Sequence, residues 1–214
     1  MGKVKPFQFY NESRITTFTG IKANSLSSMY KGIHKVSEES IFFHMHQCYF
    51  RPHFSPADNM NDFARWIWIH IGEYSITEKL AMVDPFLCDS VRECRKKLLT
   101  YLKDYLGGGA FIPRVSRDKE FYFLESKSFI YPAGFEAKNL NEFRKCIQLS
   151  AINSIFYHMI SSRMRYGHKI NDYSAWLSEN LSENEKAERI AHINLFSSNL
   201  WDIRDRILVI LDGK

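Results

Sequence analysis

Ser40-Ile41-Phe42-Phe43-His44-Met45 and Ser154-Ile155-Phe156-Tyr157-His158-Met159 are one phrase written twice. A second phrase follows each copy: Asn61-Asp62-Phe63-Ala64-Arg65-Trp66 after the first and Asn171-Asp172-Tyr173-Ser174-Ala175-Trp176 after the second. Outward from these anchors the matches continue in order. Phe121-Tyr122-Phe123 answers Phe7-Gln8-Phe9, and Gly134, Ala137, Leu140 and Ile147 answer Gly20, Ala23, Leu26 and Ile33. Beyond the phrases, Arg204 and Leu208 answer Arg95 and Leu99. Ordered recurrence over nearly half a chain points to an internal repeat, a unit that buries its apolar face against a copy of itself. The expected fold is mainly α. It is two tandem copies of a four- to five-helix unit related by pseudo-twofold symmetry, with a short extended aromatic segment opening each copy.

Local signals place the helices. Asn24 or Ser25 caps a helix to about Val36, with Leu26, Met29, Tyr30 and Ile33 on one face. Ser37 starts the helix that carries His44 and stops before Arg51-Pro52. Asn61-Asp62 caps Phe63 to Ile71, Gly72 ends it, Thr77 to Val83 is a short helix, and Asp89 caps a longer one through Leu102. Gly107-Gly108-Gly109, Pro113 and the charged stretch to Lys119 read as a linker. The domains are therefore expected at 1–106 and 120–214, with 107–119 between them.

Composition bounds the class. Of 214 residues 45% are hydrophobic and 25% charged, which suits a globular domain with a real core. The formal net charge of +5 is spread evenly between the two halves of the chain, with no basic patch or tail evident in the linear sequence. That counts against a nucleic-acid partner, although a patch assembled by the fold escapes a linear count. No apolar run is long enough for a membrane helix or a signal segment. Cys48, Cys88, Cys94 and Cys146 form no close pair, so reduced thiols and a cytoplasmic location are expected. There is no P-loop, nucleophile elbow, zinc-protease helix or dinucleotide fingerprint. The sequence names no cofactor and is compatible with none.

With both copies laid out, the chain resembles a bacterial and archaeal family, the domain-of-unknown-function family numbered fifty-seven fifty-two. The residues that carry the resemblance are Thr19-Gly20 with Ala23, Ser40 to His46, and Asn61 to Trp66. In the second copy they are Ser154 to His158 and Asn171 to Trp176. Members usually show His-Thr-His where this chain has His44-Met45-His46. The resemblance implies a duplicated helical protein and no particular activity.

Two sets of residues are candidate sites. His44 lies four residues before Cys48 on one helix face, a spacing that can hold a metal, and His44, Asp62, His158 and Asp172 form a conceivable metal set. The structural alternative makes both histidines core residues whose ring nitrogens bond near the Asn-Asp turns, with Asp62 and Asp172 as helix caps. The second set is His46, Arg51 and His53 after the first signature helix, with Trp66, which reads as a core ring or, if exposed, as a stacking platform for a sugar or base. The segment from His46 to Met60 is four residues longer than its counterpart and contains Pro52 and Pro56. Three functions follow. The first is a non-catalytic module binding a protein partner or small molecule. The second is a metal-dependent hydrolytic enzyme using the His/Asp set. The third is a basic nucleic-acid binder.

Overall fold

The structure is a computed structural model that describes residues 4–51, 56–109, 113–165, 170–196 and 198–213. It corrects the mainly α expectation, because the chain mixes helices with a sheet. Strands β1 (Phe7–Ala23) and β2 (Phe121–Ala137), each 17 residues long, pair in a two-stranded sheet. Opposite ends meet, Gln8 with Glu136 and Lys22 with Glu120, so the pair is antiparallel. The strands outrun the aromatic tripeptides because Ile15-Thr16-Thr17-Phe18-Thr19 and Phe129-Ile130-Tyr131 are β-branched and aromatic. Gly20 and Gly134 lie inside the strands. Each takes a positive φ, 81° and 80°, inside its strand, a conformation that costs glycine least.

Contacts divide the chain into two compact units, one of residues 15–127 and one of residues 1–14 with 128–214. The sequence boundaries near 106 and 119 do not follow this division, since each strand gives its first half to one unit and its second half to the other.

The unit of residues 15–127 holds α1 (Leu26–Lys35), α2 (Glu38–His46), α3 (Asp62–Trp66), α4 (Tyr74–Ala81) and α5 (Val91–Gly107). Ser25, Ser37, Asn61 and Ser90 cap α1, α2, α3 and α5 with side-chain oxygens, so serine rather than Asp89 opens α5. A π-helical turn, Ile67–Ile71, continues α3 until Gly72 closes it in the left-handed region. Leu26, Met29 and Ile33 of α1 meet Leu98 and Leu102 of α5, and the core includes Ile41, Phe63, Ile67 and Leu80. Phe121 and Phe123, from the start of β2, complete that core.

The unit of residues 1–14 and 128–214 holds α6 (Leu140–Leu149), α7 (Ile152–Phe156), α8 (Ser162–Arg165), α9 (Asp172–Leu181), α10 (Asn184–Ala191) and α11 (Leu200–Leu211). A π-helical turn, Tyr157–Ser161, joins α7 to α8. Phe7 and Phe9, from the start of β1, are buried with Phe143, Tyr173 and Trp176, and Phe7 meets those three rings at centroid distances of 5.3, 5.5 and 5.6 Å.

Gly32 shows how tightly β2 is seated. A Cβ there would stand 2.3 Å from the fully buried Phe123 ring. Alanine would gain about 1 kcal/mol of helix propensity, but the overpacking costs about 1–3 kcal/mol. Gly32→Ala is expected to lower the urea midpoint. A variant as stable as the parent or more so would mean that Phe123 does not rest on α1.

Candidate functional site

Ser37 accepts a hydrogen bond from the Ser40 amide, and the helix it starts puts Ser40 and His44 four residues apart on one buried face. Both side chains read a single strand residue. The Leu124 amide donates to His44 Nε2 at 2.9 Å, and Ser40 Oγ donates to the Leu124 carbonyl at 2.7 Å. A backbone N–H can only donate, so Nε2 is the acceptor and Nδ1 carries the proton. Nδ1 donates to Asp62 Oδ2 at 2.8 Å.

Asp62 is the first residue of α3, and Asn61 rather than Asp62 is its cap. Asn61 Oδ1 accepts from the Ala64 amide at 3.0 Å, while its Nδ2 donates to the Leu80 carbonyl at 2.8 Å. The second oxygen of Asp62 accepts from Arg51 Nη2 at 2.7 Å, and the same nitrogen reaches the Met60 carbonyl at 3.3 Å. Below this row, Trp66 Nε1 donates to the Lys119 carbonyl at 2.7 Å and so pins the chain just before β2.

The other unit has the same arrangement. The Tyr10 amide donates to His158 Nε2 at 3.0 Å, and His158 Nδ1 donates to Asp172 Oδ2 at 2.7 Å. Asn171 caps α9 through the Ser174 amide at 2.9 Å. Trp176 Nε1 donates to the Lys5 carbonyl at 2.7 Å, before β1. His44 and His158 are each 2% exposed, and each is walled by aromatic rings. Phe121 stands 4.8 Å from His44, and Phe7 4.9 Å from His158.

These contacts locate the sequence candidates. His44 and Asp62 belong to the unit of 15–127, and His158 and Asp172 to the other. Each imidazole has both nitrogens engaged, and no group of three or more His, Cys, Asp or Glu able to hold a metal occurs among the described residues. Cys48 is buried, its thiol directed at the Met45 carbonyl at 3.7 Å, and burial pushes that thiol up to about 12. His46 is 4% exposed, donates from Nδ1 to the Phe42 carbonyl at 2.8 Å and lies 4.0 Å from the Phe42 ring. Arg51 is turned into the Asp62 ion pair, and Trp66 is buried. His53 lies outside the described residues.

Two open pockets stand near this machinery or apart from it. One, of about 430 Å³, is lined by His158 and Asp172 with Tyr10, Tyr157 and Trp176, and by Lys5, Gln8 and Glu179. The other, of about 290 Å³, runs between α1 and α5 and is lined by Tyr30, His34, Arg92, Arg95, Lys96, Leu99, Thr100 and Lys103. The linear charge count hides this second pocket. Its signal is the i, i+3, i+4 spacing of cations along α5.

The family of unknown function DUF5752 matches this chain over residues 4–212. The chain belongs to that family. No curated protein matches it. Its fold is similar to that of OrfY from Thermoproteus tenax, with a TM-score of 0.81 and 24% identity, covering 99% of this chain and 97% of that one. In this family member no helix of the described residues is long and apolar enough to cross a membrane.

The buried acids that stay neutral give a pH signature. Burial raises the Cys48, Cys94 and Tyr173 side chains above their ordinary values. A raised folded-state value stabilises the fold below the unfolded value, about 8.5 for a thiol, and that stability is lost as pH rises toward the folded value. Unfolding free energy is expected to fall above about pH 8.5, and Cys48→Ala should make that fall shallower. Equal slopes for variant and parent, from urea melts across that range, would contradict the assignment for Cys48.

Proposed function

We propose that this protein is a non-catalytic binding module, built as two copies of one unit that have exchanged the leading halves of their strands. The duplication is supported by the matching Asp–His–amide and Trp–carbonyl contacts at corresponding places in the two sequence copies. The observation that carries the non-catalytic reading is the state of the two histidines. They are the recurring groups with catalytic chemistry, and in both units the ring is spent in bridging a carboxylate to a strand amide. A general base needs a free lone pair within reach of substrate. Here the lone pair on Nε2 is taken by the backbone.

The open pocket beside Asp172 supports a small ligand as well as a protein partner, since aromatic walls with a few polar groups are usual in ligand sites. The four free cysteines, three of them buried, support a reducing, cytoplasmic setting.

Elemental analysis of untagged protein, paired with urea melts of His44→Ala and His158→Ala, tests the reading. Substoichiometric transition metal is expected, and each variant should lose about 1–3 kcal/mol by leaving a buried amide and carboxylate without their partner. One transition-metal ion per chain, lost in either variant without a stability change, would replace this reading with that of a metal-dependent enzyme.

A further inference from the structure

We propose that the groove between α1 and α5 is a binding site for a small anion bearing more than one phosphate. This rests on the binding-module reading and deepens it. On α5, Arg92, Arg95, Lys96 and Lys103 fall on one stripe of the helix and line the groove, with Tyr30 and His34 of α1 opposite. Eleven helical steps separate Arg92 from Lys103, about 16 Å, too long for one phosphate to engage all four cations.

Two of the four cations are anchored by the protein and two make no ion pair among the described residues. Arg95 is anchored by its Nη2 to the Val36 carbonyl at 2.7 Å, so its guanidinium is fixed at the groove before any ligand arrives. Arg92 pairs with Glu38 at 2.5 Å at the exposed edge. Lys96 and Lys103 make no ion pair among the described residues. Tyr30 and Thr100 add hydroxyls, and Leu99 an apolar floor. Planar guanidinium with flexible ammonium groups is the usual equipment for phosphate recognition.

The matching face of the other unit lacks this character. At the places of Lys96 and Lys103 the second copy has Asp205 and Asp212, and at the place of Tyr30 it has Arg144. Arg144 spends its guanidinium on Asp212, at 3.0 Å from Nη2, and Arg204 stands 3.8 Å from Asp205. One face therefore keeps a surplus of positive charge where its counterpart is self-neutralised. A core requirement would have acted on both faces alike. Elsewhere the charge is evenly spread, so the surplus is local and concave, which favours a small oligophosphate over a long nucleic-acid backbone.

The test is calorimetric titration of the full chain with inorganic tripolyphosphate in phosphate-free, low-salt buffer. A second arm uses duplex DNA at equal phosphate concentration. The expected result is saturable tripolyphosphate binding that weakens at least tenfold in Lys96→Glu/Lys103→Glu. It should be kept within about threefold in Lys145→Glu/Arg206→Glu, which changes net charge equally on exposed positions of the other unit. Thermal melts confirm that each variant folds. No binding, equal loss in both variants, or DNA bound more tightly than tripolyphosphate would overturn the proposal. Release of orthophosphate during the titration would instead overturn the non-catalytic reading, so the two failures are told apart.

Discussion

An imidazole that joins a carboxylate to a strand amide is the contact on which this structure depends. A two-stranded ribbon has an outer edge on each strand, and a buried edge leaves backbone groups that water cannot reach. At Leu124 the edge is met by Ser40 and His44, which together supply one acceptor and one donor, as a third strand would. At Tyr10 His158 supplies the acceptor. The carboxylate behind each ring fixes the tautomer that makes this possible, and the Asn-Asp pair that presents it also starts the next helix. One pair of adjacent residues thus caps a helix, orients a ring and secures a strand.

Much of this was readable in the residues. The paired phrases mark the helix that carries each histidine and the turn that carries its partner, and the caps at Ser37, Asn61 and Asn171 follow from their chemistry. The strands were read too short because Asn11-Glu12-Ser13-Arg14 interrupts the apolar alternation. Glu12 is nevertheless buried, its carboxylate taking hydrogen bonds from Ser128 at 2.7 Å and Ser161 at 2.5 Å. A polar residue satisfied from more than a hundred positions away gives no local sign of burial. The acceptors of Trp66 and Trp176 are backbone carbonyls of Lys119 and Lys5, which residue identity does not announce. The choice of which helices each aromatic strand start would join was hidden for the same reason.

The site residues divide along similar lines. His44 and His158 were legible as buried and bonded near the Asn-Asp turns, because an apolar phrase that contains histidine must find it partners. Arg51 stands among the candidate ligand residues with His46 and His53, yet it closes over Asp62 and completes the carboxylate's hydrogen bonding. The α5 cations escaped a reading that summed charge by segment. Charge on a helix is arranged by angle, and Arg92, Lys96 and Lys103 come together only when the segment is wound.

The division of each strand between the two units sets the order in which the chain can be completed. The unit of 15–127 is continuous, and the His44–Leu124 bond spans 80 positions. The other unit joins residues 1–14 to 128–214, with His158 closing on Tyr10 across 148 positions. During synthesis residues 7–9 leave the ribosome long before the helices that receive Phe7 and Phe9 exist. Non-local closure of this kind is slow and leaves apolar strand exposed in the interval. Phe7 and Phe9 therefore lack their burying partners until residues 140–211 are made.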